Sequence, residues 1–123
     1  SRSTCLKPNG AVLARAGRII STGYNGSPSG LPHCTDIGCL EGPDGGCIRT
    51  VHAEANTIAF AAEYGVSTEG STLFCTTAPC FTCAKLIINA GIREVVYKRD
   101  YRDPSGRELL EQANVKVSKY TGE

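Results

Sequence analysis

Histidine is scarce in this chain, with two among 123 residues. Charge of one sign is missing as well. Thirteen Lys and Arg against twelve Asp and Glu leave a net charge of +1 with no block of like charges. That balance argues against a nucleic-acid binder built on a broad basic face. No apolar run approaches the roughly 18 residues that a membrane-spanning helix needs. No secretory signal is visible at the start, and Ser1 need not be the natural first residue. Internal repeats and low-complexity tracts are absent too, which excludes a solenoid or an array.

Cysteine is abundant instead, with seven residues. A small secreted scaffold would spend them on disulfides. The odd count, a hydrophobic share of 41% and one C-x-x-C pair favour thiols held reduced, some of them on metal. The expected compartment is therefore the cytoplasm. The length suits one domain, residues 1–123, with a core that needs no staples.

Along the chain, "GAVLARAGRIISTG" (10–23) reads as two strands around a turn at Arg15–Arg18. Residues 24–50 are punctuated by Gly and Pro, and a loop of that length in a compact domain is usually functional or disordered. "HAEANTIAFAAEYG" (52–65) reads as a helix, with Ala55, Ile58, Ala59 and Ala62 at helical spacing and Gly65 as its stop. "STLFCT" (71–76) alternates as a strand does. Pro79 opens a second helix that runs to Gly91. A buried strand (93–97), a third helix (104–114) and a short last strand (115–118) complete the order β-β-α-β-α-β-α-β. Alternation after residue 50 predicts βαβ units on one sheet.

Two segments carry chemistry, "RTVHAEAN" (49–56) and "TTAPCFTCAKLI" (76–87). Cys80 and Cys83 are three apart at a helix start, so both sulfurs share a face. The partial positive charge there favours thiolates. Two thiolates fill half of a zinc tetrahedron, and His52, at another helix start on the same sheet edge, can supply a third ligand. Three protein ligands leave one position open, as in a catalytic site. On a regular helical turn, residues two apart point about 200° from each other. Glu54 would then stand beside the metal rather than on it, able to take a proton from water and pass it on. Ala53 is small and leaves its backbone open to a flat ligand. Each piece alone has a blander reading. A lone C-x-x-C can be a redox pair or half of a structural finger, and a lone His is usually no ligand.

Together, H-x-E and P-C-x-x-C form the signature of zinc-dependent nucleobase deaminases. The chain resembles the cytidine deaminase superfamily and, within it, the deoxycytidylate (dCMP) deaminases. The narrower likeness rests on "RSTC" (2–5), "GAVL" (10–13), "STGYNGSPSGLPHC" (21–34), "CIRTVHAEAN" (47–56), "APCFTCAKLIINAGI" (78–92) and "VVYKRDY" (95–101). The resemblance implies a three-layer α/β/α fold, a mixed sheet of about five strands with helices on both faces. It implies zinc on His52, Cys80 and Cys83, with Glu54 as the proton shuttle that converts dCMP to dUMP and ammonia for thymidylate supply. Homo-oligomers, often hexamers, are the family habit, as are activation by dCTP, with Mg, and inhibition by dTTP.

For the substrate, the resemblance points to Asn25 for the sugar, the Ala53 backbone for the base and Tyr101 for packing on the ring. A turn role for Asn25 and a core role for Tyr101 are the alternatives. Arg2, Ser3 and Thr4 are phosphate candidates by position. Cys5, Cys34, Cys39 and Cys47 with His33 could close a second, structural zinc site, or be free thiols; Cys75 reads as a small buried residue. Two departures stand out. The family's N-terminal helix before "RSTC" is missing or lies outside this sequence, and "KPNGAV" (7–12) replaces the usual residues before the first strand, so that Pro8 and Asn9 are expected to disturb its start. The rival readings are a deaminase of another cytosine compound or of an adenine base, and, in a different class, a non-catalytic zinc-stabilised binding module.

Overall fold

The computed structural model describes residues 9–26 and 51–122. The expected elements are there in the expected order. Strands β1 (Gly10–Arg15) and β2 (Arg18–Tyr24) form a hairpin, followed by α1 (Ala53–Glu63), β3 (Thr72–Thr77), α2 (Phe81–Asn89), β4 (Glu94–Arg99), α3 (Ser105–Gln112) and β5 (Lys116–Lys119). The hairpin turns through Ala16 and Gly17, both at positive φ, the geometry that matches the twist of the flanking strands. Each helix ends on a residue in the left-handed region: Gly65, Gly91 and Asn114. In each case the next two amides close back on the last turn, as in Gly65 N–H to Ala62 O at 3.2 Å and Val66 N–H to Ala61 O at 2.8 Å.

The five strands form one mixed sheet in the order β2-β1-β3-β4-β5. Strand β1 is antiparallel to both neighbours, while β3, β4 and β5 are mutually parallel. Strands β2 and β3 therefore run the same way, and α1 and α2 both start beyond the same sheet edge. An isolated bridge between Gly26 and Val51 returns the chain to the end of β2 just before His52.

Side chains alternate across a strand, and the register sorts them into two faces. One face carries Leu13, Leu73 and Val95 in a row, with Ala11, Cys75 and Tyr97 in the next. These six join Ala53 of α1, Ala84 and Ile87 of α2 and Leu110 of α3 in a single buried cluster. The three helices thus form one layer on one face. On the other face Val12, Phe74 and Val96 make a row, with Phe74 45% exposed. No helix among the described residues covers it, and the helices expected on this face are not among the described ones.

Helix α1 is rotated from its apolar spacing. Its buried residues are Ala53, Glu54, Thr57 and Ala61, not Ala55, Ile58, Ala59 and Ala62. The reason is a close approach to β2. A Cβ added at Gly23 would lie 2.6 Å from Thr57 Oγ1 and 2.8 Å from Thr57 N. Thr57 tolerates full burial because its hydroxyl donates to Ala53 O at 2.8 Å, with Ala11 O a second acceptor 3.4 Å away.

Candidate metal centre and active site

His52 is the N-cap of α1, with an extended backbone (φ −69°, ψ 155°). It stands outside the helix, and Glu54 is the second helical residue. Their divergence therefore comes from the change of backbone at the cap, not from a regular helical turn as the spacing argument supposed. Cys80 is likewise the N-cap of α2, and its sulfur accepts from the Cys83 amide at 3.5 Å. Pro79 holds the approach. Gly106 of α3 packs against it so tightly that an added Cβ would meet Pro79 O at 2.3 Å and the Cys80 carbonyl carbon at 2.6 Å.

The two caps converge. His52 Nδ1 lies 3.4 Å from Cys80 Sγ and 3.5 Å from Cys83 Sγ. The ligand atoms of all three residues fall within 4.8 Å of one another. With zinc bonds of about 2.3 Å to sulfur and 2.0–2.1 Å to nitrogen, a tetrahedron has an S-to-N edge of roughly 3.6 Å. Both nitrogen–sulfur separations match that edge, and the donor set of one imidazole and two thiols fits zinc. Tetrahedral coordination has a fourth corner that these three residues do not supply.

The electrostatics agree. The Cys80 thiol is lowered to about 4, chiefly by a hydrogen bond from Cys83, with further help from His52 and the Cys83 amide against the cost of burial. The Cys83 thiol moves upward because it is the donor to Cys80 and is buried near Glu54. Glu54 is pushed up to about 7 by burial, only partly offset by a backbone hydrogen bond and the charge on His52, while Cys80 raises it. A carboxyl poised near neutrality, beside the trio but not one of it, suits proton transfer in both directions. Cys75, on the neighbouring row of β3, is buried as the sequence suggests, and its thiol is raised by burial and by Glu54.

Of the remaining predicted residues, Asn25 sits at the end of β2, where its Oδ1 accepts from the Asn9 amide at 3.1 Å. Ala53 is buried, its side chain in the core cluster. Tyr101 is half-buried against that cluster, with the Arg102 guanidinium 4.8 Å over its ring. Arg2, Ser3, Thr4, Cys5, His33, Cys34, Cys39 and Cys47 lie outside the described residues, as does Pro8. Sequence reasoning missed Thr77 and Arg99, which meet Asn9 at this same edge. Nothing in their spacing betrays them; only the register of three strands does. Asn9 itself, expected to disturb the start of β1, instead anchors it.

Residues 2–99 match the family model of the cytidine and deoxycytidylate deaminase zinc-binding region. The chain belongs to this family of zinc-site deaminases. Among its relatives, ComE operon protein 2 of Bacillus subtilis is 48% identical over 94% of this chain and 62% of its own length. The deoxycytidylate deaminase of Saccharomyces cerevisiae is 39% identical over 98% of this chain and 41% of its own length. The chain thus spans less than two thirds of either relative. Among solved structures, the dCMP deaminase of cyanophage S-TIM5, crystallised with dCMP and dUMP, superposes with a TM-score of 0.79. It is 38% identical, and the match covers 91% of this chain and 80% of that one. No described helix is long and apolar enough to cross a membrane.

Proposed function

We propose that this chain hydrolyses dCMP to dUMP and ammonia, with His52, Cys80 and Cys83 holding zinc and Glu54 moving the protons. The observation that carries the reading is the buried carboxyl of Glu54 beside the trio, in which His52 Nδ1 stands at zinc-tetrahedron distances from both Cys80 Sγ and Cys83 Sγ. Bound zinc would supply Lewis acidity, making water nucleophilic near neutral pH. The chain's own residues do the rest. Glu54 takes one proton from the attacking water and delivers it to the ring nitrogen beside the amino-bearing carbon, then takes the remaining proton from the added hydroxyl and delivers it to the departing amine. Carbon–oxygen bond formation and carbon–nitrogen cleavage then balance as dCMP plus water giving dUMP plus ammonia. Asn25 is assigned to the sugar, the Ala53 backbone to the base and Tyr101 to packing at the ring.

A non-catalytic zinc module is the reading from another class. It has no use for a buried, unligated carboxyl at this spot, since burying Glu54 costs stability that a structural site need not lose. The test is ammonia release from dCMP, deoxycytidine, CMP and adenosine by the purified zinc-loaded protein. Preferential turnover of dCMP supports the proposal; equal turnover of deoxycytidine refutes the nucleotide preference, and no turnover of any substrate refutes the reaction.

The finer points of the reading follow the family. A second zinc on Cys5, Cys34, Cys39, Cys47 or His33 would bring metal analysis to near two per chain, and near one removes it. Activation by dCTP with Mg would lower the dCMP concentration at half-maximal rate, and dTTP would raise it. A homo-oligomer, up to a hexamer, would appear in light scattering. Cysteines that must stay reduced to hold zinc suit the cytoplasm, the compartment this reading assigns.

A further inference from the structure

We propose that Arg99 reads the 5′-phosphate of the substrate and that Asn9 positions it, an inference that rests on the nucleotide reading above. Asn25 lies beside Asn9, with its amide donating to Asn9 O at 3.2 Å and its Oδ1 accepting from Asn9 N–H at 3.1 Å. Two residues beyond the Ala11–Cys75 pair, Asn9 faces Thr77, whose hydroxyl donates to Asn9 Oδ1 at 2.8 Å. Thr77 in turn pairs with Arg99. Asn25, Asn9, Thr77 and Arg99 therefore form a polar row at the ends of four adjacent strands. By the two-residue alternation Thr77 and Arg99 share the helix-covered face with Cys75 and Tyr97. The row lies one step nearer the edge from which His52 and Cys80 emerge.

Arg99 does not extend outward from its own strand. Its Nη2 reaches back across β3 to Asn9 Oδ1 at 3.2 Å. The guanidinium thus ends about one strand spacing, roughly 5 Å, from the strand of Asn25. A sugar held at Asn25 would carry its 5′-phosphate within reach of that charge. Three donors, the hydroxyls of Thr76 and Thr77 and the Arg99 guanidinium, converge on one atom of Asn9. That atom must be the amide oxygen, and the side chain is locked.

The anchor is neutral, which matters. Arg107 and Lys119 lie 3.7 Å and 2.8 Å from the carboxylate of Asp100, so the two cations share one compensating charge. Among the described residues Arg99 meets no carboxylate. Its charge is held in place without being cancelled, as a phosphate contact requires.

The test titrates dUMP and deoxyuridine into the zinc-loaded protein by calorimetry. The readout is the ratio of the two affinities in the unaltered chain and in Arg99→Gln, Asn9→Asp and Asn9→Val. Arg99→Gln should cut the preference for dUMP at least tenfold. Asn9→Asp keeps the acceptor oxygens but pairs the guanidinium with a carboxylate, and should cut it similarly; it also serves as the second probe should Arg99→Gln not fold. Asn9→Val should cut it less, because the charge remains but is no longer fixed. An unaltered chain that binds dUMP no tighter than deoxyuridine overturns the inference. So does an Arg99→Gln ratio equal to that of the unaltered chain, or an Asn9→Asp ratio that does not fall. Absence of ammonia release from dCMP, with the dUMP preference intact, would remove the reaction reading and leave this one standing.

Discussion

Replacing Gly106 by Ala tests whether α3 sets the position of a metal-binding cap. The added Cβ would lie 2.3 Å from Pro79 O and 2.6 Å and 2.7 Å from the Cys80 carbonyl carbon and oxygen. Ordinary contact begins at 3.4 Å, so α3 and the 79–80 backbone must part by about 1 Å. All three obstructing atoms are backbone and cannot swing aside. Overpacking of this kind costs about 1–3 kcal/mol, and the better helix propensity of Ala returns at most ~1 kcal/mol. The net of about 1–2 kcal/mol should lower the midpoint by roughly 3–8 °C for a domain of this size. The second effect falls on the metal. Zinc–sulfur distances tolerate about 0.2 Å, so a shift of Cys80 on the 1 Å scale should weaken zinc binding at least tenfold. Thermal melts and competition with a colorimetric chelator read the two effects separately. A variant with an unaltered midpoint and unaltered zinc affinity would refute the claim that α3 braces Cys80.

Glu54→Gln should keep zinc, measured by metal analysis, while ammonia release from dCMP falls about a thousandfold or more, because the carboxamide cannot shuttle protons. Cys83→Ala should lose stoichiometric zinc, since the trio is reduced to two ligands, and a retained full equivalent would argue for other donors. Leu110→Ala should cost about 2–5 kcal/mol in urea unfolding, as Leu110 is fully buried in the core shared by sheet and helices. Thr57→Val should cost about 1–2 kcal/mol, because it strips the hydroxyl that bonds the Ala53 carbonyl at the start of α1.

Much of this was legible in the residues, for reasons that differ from place to place. The alternation in "TLFCT" and the stops at Gly65 and Gly91 are local signals, and local geometry honoured them. His52, Cys80 and Cys83 could be grouped because two parallel strands must launch their helices from one edge. The rotation of α1 was not legible. Its apolar spacing favours Ile58, yet Thr57 is the residue turned inward, because Gly23 on a strand thirty-four positions earlier admits the helix backbone at close range. Asn9, Thr77 and Arg99 were invisible for the same kind of reason. They touch only after β1, β3 and β4 fall into register, and sequence distance says nothing about register.

The bridge between Gly26 and Val51 fixes the imidazole through main chain alone. Two backbone hydrogen bonds, at 3.1 Å and 2.7 Å, tie Val51 to the end of β2 immediately ahead of His52. Neither bond uses a side chain, so both survive any exchange at these two positions except one to proline. The metal-binding cap is thereby indexed to the sheet by groups that point mutation seldom removes.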